Sequence, residues 1–190
     1  MKGKFLKLIA LGLSSISFCF AEVPTLAITF GTDVSTYGMT SSQESKIQSA
    51  ERKIREVIGS YAFKTAILNH TFNGRRQFNN NNGLSNSQIY AKILNAAEKL
   101  LPSRDNAMDL KIKTYYENSN TVGWTSTGSL YINMNRKFLN NYTSTEVTQN
   151  MMHEWLHKMG FSHSVNYSSS RDYSVPYAVG KIMRTLAARY

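Results

Sequence analysis

Three of the four histidines in the chain, His153, His157 and His163, lie within "HEWLHKMGFSH". Histidines at i and i+4 fall on one face of a helix, one turn apart, so His153 and His157 can grip a single metal ion. Glu154 follows the first of them, and a carboxylate at that position lies beside the ion without having to ligate it. It can take a proton from a water that the ion makes acidic, the mechanical sense of the pattern His-Glu-x-x-His. Gly160 is the residue able to end the helix in a left-handed conformation and turn the chain sharply. That turn would bring His163 back as a third ligand. Three protein nitrogens leave a fourth coordination position open, as in a catalytic zinc site. The competing reading is a core helix with incidental surface histidines. The fourth histidine, His70, follows a helical stretch and reads as structural.

These side chains need a helix anchored on one side and exposed on the other. Thr143 and Glu146 form a capping box that would start it. Glu146, Asn150, His153 and His157 then share a polar face, while Val147, Met151, Trp155 and Met159 share an apolar one. Upstream, "TLAITFGT" (25–32) reads as a strand and "STYGMTSS" as a loop. Ser41 and Glu44 make a second capping box before Ile47, Ala50, Ile54, Val57, Ile58 and Tyr61 recur at helical spacing. That helix is expected to reach Gly59, with "AFKTAILNHTF" continuing after a bend. Residues 73–87 form a polar loop. Ser85 or Ser87 caps a further helix through "QIYAKILNAAEKLL", stopped by Pro102. "DLKIKTYY" and "SLYINMN" alternate as strands, with a short strand between them around 122–125. "VPYAVGKIMRTLAARY" reads as a turn and a final helix. Interleaved strands and helices without repeats or a linker predict one α/β (α+β) domain.

Length and composition fit an exported single-domain protein. Lys2, Lys4 and Lys7 precede an apolar run to about Phe20, and Ala21 stands before Glu22, the pattern of a secretory signal peptide over residues 1–21. An uncleaved anchor is the alternative. Cleavage takes the basic residues from 22 to 19 against 12 acids, about +7, and removes Cys19, the one cysteine. The remaining residues, 22–190, are enough for one domain with a real core but can form no disulfide. Basic residues are scattered and accompany no nucleic-acid motif. The chain is expected to be secreted or periplasmic, without stable membrane insertion after cleavage, and monomeric, with a peptide or protein partner and no nucleic acid.

"HEWLHKMGFSH" resembles the extended zinc signature of the metzincin metallopeptidases, His-Glu-x-x-His-x-x-Gly-x-x-His. The resemblance implies zinc on His153, His157 and His163, with Glu154 as general base. It implies a two-lobe catalytic domain over residues 22–190: a twisted mixed sheet of about five strands with two backing helices, the active-site helix, and a small irregular C-terminal lobe after Gly160. Whether calcium also binds is not implied. Family members place a methionine turn beneath the metal. Here the one methionine after His163 is Met183, inside a helical pattern, and the other candidate floor is a turn at "SVPY" (174–177). If Val175 replaces the methionine, Tyr177 takes the position of a tyrosine that assists catalysis in some members. The edge strand around "VGW" would bind extended peptide, with Trp124 either touching substrate or packed. Asp33 reads as a turn residue after the first strand or, less simply, as an acidic plug on the zinc. The functions that follow are a secreted zinc endopeptidase, a zinc-bearing peptide-binding scaffold without turnover, or a zinc hydrolase acting on a non-protein amide.

Overall fold

The computed structural model describes residues 29–100 and 105–190. The signal-peptide segment, the first part of the strand expected at 25–32, and the expected helix stop at Pro102 lie outside the described residues. Strand β1 (Gly31–Tyr37) runs later than the sequence pattern implies. Asp33 therefore lies within a strand, and "STY" belongs to the strand rather than the following loop. The reason is the parallel ladder: Gly31 to Tyr37 pair in register with Ala107 to Lys113 of β2 (Ala107–Tyr115).

Helix α1 (Ser41–Ile58) is capped one residue earlier than expected. Thr40 Oγ1 accepts from the Gln43 amide at 3.3 Å, and Gln43 Oε1 accepts from the Thr40 amide at 3.0 Å. Both Ser41–Glu44 and Thr40–Gln43 satisfy the box spacing, and the strand leading in sets which is used. Ile47, Ala50, Ile54, Val57 and Ile58 are buried, but Tyr61 is exposed. The chain bends at Gly59, and Ser60 caps α2 (Tyr61–Leu68). Helix α3 (Asn86–Leu94) takes Ser85 as its cap with Gln88 and ends at Asn95, well before Pro102. Ala96 is left-handed at φ 42°, which the helix cannot continue through.

The remaining elements are β3 (Gly123–Trp124), β4 (Tyr131–Asn135), the single turn α4 (Arg136–Leu139), α5 (Ser144–Lys158) and α6 (Val175–Ala187). The sheet has four strands among the described residues, in order β1-β2-β4-β3. β1, β2 and β4 are parallel, and β3 lies antiparallel on the β4 edge. This is a mixed α+β sheet, one strand short of the expected five. Met108, Leu110 and Ile112 of β2 join Ile132 and Met134 of β4 in one core with the apolar faces of α1, α5 and α6. "SVPY" is not a turn. Val175 opens α6 and Pro176 stands in its first turn, where the missing N–H costs nothing. No helix among the described residues is long and apolar enough to cross a membrane.

The core holds one acid that the sequence pattern gave no reason to notice. Glu98 is 3% exposed. Its Oε1 accepts from the Trp155 indole and, at 3.2 Å, from the Asp109 amide, while Oε2 has no partner. Burial pushes its pKa up to about 7, against those two hydrogen bonds. The folded chain thus keeps a proton, between pH 4.5 and 7, that the unfolded chain has released, and stability falls as pH rises through that window. Glu98→Gln should therefore be more stable than the parent at pH 8 by on the order of 2 kcal/mol and nearly equal to it at pH 4.5. Urea unfolding at the two pH values measures this; a stability difference that does not change with pH would contradict it.

Candidate metal centre

Helix α5 starts where its sequence says. Thr143 Oγ1 accepts from the Glu146 amide, and Glu146 Oε2 accepts from the Thr143 amide at 3.0 Å. Its apolar side, with Val147, Met151, Met152, Trp155 and Leu156 fully buried, locks the helix against α1 and α6. At the other end, the Gly160 amide bonds to the His157 carbonyl at 2.9 Å and the Phe161 amide to the Leu156 carbonyl at 3.1 Å. This paired closure requires a left-handed residue, and Gly160 has φ 91°. A Cβ there would also fall 2.5 Å from Lys99 Cε. The turn reverses the chain and brings His163 to the helix.

His153, His157 and His163 converge. His153 Nε2 lies 3.1 Å from His163 Nε2 and 3.2 Å from His157 Nε2. Each ring is held from behind. His157 Nδ1 donates to the Phe161 carbonyl at 2.8 Å and His163 Nδ1 to the Ser164 carbonyl at 2.9 Å. The Pro176 backbone bonds to His153, and proline can only accept. A carbonyl on the far nitrogen keeps the proton there and turns the Nε2 lone pair inward. Three lone pairs meeting at one point repel one another unless a cation lies between them, and the three histidines form a group that can hold a metal ion. Two nitrogens on a tetrahedral ion at 2.0–2.1 Å stand about 3.3 Å apart, close to the observed spacings. Burial and the neighbouring rings take the His153 pKa down to about 3, and burial lowers that of His157, so both are neutral and ready to ligate.

Glu154 is 4% exposed but lines the same cleft as the histidines. Burial raises its pKa to about 8, while the charge of Lys158, one turn on, opposes the rise. Lys158 is in turn anchored on the Ser129 carbonyl. The cleft, about 880 Å³, runs between residues 120–125 around β3 and the polar side of α5, with Val165, Arg171 and Tyr177 on the far wall. Gly123 lets the edge strand approach, since a Cβ there would lie 3.0 Å from both the Asn133 carbonyl and Asn150 Oδ1. Trp124 is 51% exposed, on the cleft wall, with its ring edge to Tyr115.

Tyr177 joins the site. Its ring centroid is 4.6 Å from those of both His153 and His163. Gly180, one turn later, brings α6 close to α5: a Cβ there would meet the Gln149 carbonyl at 3.3 Å and His153 Cβ at 3.7 Å. Met183 is buried in the core on the same helix. The α6 groups placed against His153 are thus Pro176, Tyr177 and Gly180. Val175 is also buried. Asp33 faces away from the cleft: it pairs with Asp109 and lines a separate cavity. His70 stacks on Phe78 at 4.0 Å, outside the cleft, and its pKa is lowered by burial. Sequence reasoning missed Gly180, although a glycine inside a helical pattern signals close packing. It also passed over Arg171, which sits in what reads as a polar loop.

Comparison with family models, curated proteins and solved structures finds no match. The metal set is directly testable. His157→Ala should lower the affinity for divalent zinc by more than about a hundredfold, beyond what loss of an outer hydrogen-bond partner costs. Competition against a chromogenic chelator reads this; unchanged affinity would mean that the three rings do not act together.

Proposed function

We propose that the protein is a zinc-dependent endopeptidase of the metzincin type, exported to the periplasm or outside the cell. The observation that carries the reading is the set of three imidazole nitrogens, locked by backbone carbonyls, beside the buried carboxylate of Glu154. Nitrogen donors in a near-tetrahedral spacing with room for a fourth ligand suit zinc better than calcium or magnesium, which take oxygen. The cleft supports the same reading, with residues 120–125 around β3 on one side and Val165, Arg171 and Tyr177, from the chain after Gly160, on the other.

His153, His157 and His163 would hold the ion. Bound there, zinc supplies Lewis acidity to a substrate carbonyl and acidifies water. Glu154 is the general base: it accepts the proton of the attacking water and returns it to the leaving amine nitrogen. Its elevated pKa reflects a carboxylate kept dry, and a bound cation would favour its ionised form. Strand β3, at the sheet edge, offers backbone groups to an extended peptide, which would pair antiparallel or parallel to it. Gly123 keeps that strand within reach of α5. Tyr177 packs against the His153 and His163 rings, where its hydroxyl would serve as a donor to the substrate carbonyl oxygen.

Glu154→Gln should lower kcat by about 10²–10⁴-fold on a mixed peptide library while zinc content stays at the parent's level. Zinc binding without cleavage by the unaltered protein would favour a peptide-binding scaffold instead. Tyr177→Phe should lower kcat by up to about a hundredfold with zinc affinity unchanged. An unaltered kcat assigns Tyr177 to packing alone.

A further inference from the structure

Two arginines line the cleft, and they are treated differently. Arg184 is neutralised: Nη2 meets Glu146 Oε1 at 3.0 Å and Nη1 meets Gln149 Oε1 at 3.4 Å. Nearby Lys181 is paired with Asp172 at 2.8 Å. Arg171 has no acidic partner among the described residues. Its guanidinium lies over the Tyr177 ring at 4.7 Å and the Tyr167 ring at 5.2 Å. One long hydrogen bond, 3.4 Å from Nη1 to the Val165 carbonyl, engages its fork. Its Nε is buried and unpartnered. The Tyr177 ring beneath that guanidinium is itself 4.6 Å from the His153 and His163 rings, which sets the charge beside the three histidines.

A partly buried guanidinium with idle donors is costly unless an anion completes it. The two tyrosine rings fix its plane, which prepares the fork for a carboxylate, a group it matches in bidentate geometry. No side chain of the described residues fills that role, and the neighbouring acid, Asp172, is already paired with Lys181. We propose that Arg171 receives a carboxylate carried by the substrate close to the bond that is cut, so that the site favours peptides acidic at that point. This rests on the peptidase reading. The carboxylate has two sources, an Asp or Glu side chain or the peptide's own C-terminus, and the second would make the cut fall near the chain end.

Equilibrium binding separates this from activity. Zinc-loaded Glu154→Gln protein is titrated by fluorescence anisotropy with labelled peptides of one sequence carrying Glu, Gln or Lys at each position, each with a free or an amidated C-terminus. The Glu peptide at one position, or the free-terminus peptide, should bind about tenfold tighter than its neutral counterpart, and the advantage should shrink at high salt. Preference that follows Glu identifies a side chain, and preference that follows the free end identifies the terminus. Adding Arg171→Gln should abolish the preference, and Arg171→Lys, which keeps the charge and tests the fold, should retain part of it. Equal affinities throughout, a preference that survives Arg171→Gln, or no binding at all would overturn the proposal. Charge-blind cleavage by the unaltered protein would overturn it and leave the peptidase reading intact. Acid-selective binding with no cleavage of any peptide would support the receptor and remove the peptidase.

Discussion

Three imidazole lone pairs aimed at one point are the constraint around which the molecule is arranged. Neutral rings in that arrangement repel, so something must hold them before a cation arrives. The holding groups are backbone carbonyls: Pro176 behind His153, Phe161 behind His157 and Ser164 behind His163. Each comes from chain outside α5, so the site is only as well defined as the turn after α5 and the first turn of α6.

Those two turns share a logic of close approach. Gly160 reverses the chain in a conformation few other residues adopt, and Lys99 occupies the space a side chain would need. Gly180 brings α6 against His153, and Gly123 brings the edge strand against Asn150. Small residues therefore stand where other segments meet the helix that carries His153 and His157. The buried side of that helix, centred on Trp155, keeps the polar side from rotating. Glu98 lies under the same tryptophan, an acid whose burial favours its neutral form while an indole N–H and a backbone amide bond its Oε1.

Electrostatics divides the cleft. Glu154 is dry and reluctant to ionise even with Lys158 one turn on, whereas the opposite wall carries Arg171, braced by Tyr167 and Tyr177. Arg184 is already satisfied by Glu146 and contributes little net field. A ligand entering the cleft thus meets an edge strand on one side and an uncompensated cation on the other.

Local spacing was enough to pick out the three histidines that converge, because His153, His157, Gly160 and His163 lie within one helix and its terminating turn. The α5 capping box, the α1 apolar stripe, and the β2 and β4 alternation were readable for the same reason: each depends on neighbours a few residues away. The start of β1 was not, since its register is set by pairing with β2 some seventy residues later. Nor was the early end of α3, or the absence of a turn at "SVPY", where Pro176 suits a bend and a helix start equally well. Gly123 reaches the site from well before α5, and Arg171, Tyr177 and Gly180 reach it from the chain after His163. Apart from the glycine inside a helical pattern and the resemblance that singled out Tyr177, their types carry no sign of it. The histidine spacing by itself determined where a metal can sit; only the packing of α6 and the β3 edge onto α5 decided what surrounds it, because contacts between segments far apart in the chain leave no period in the sequence.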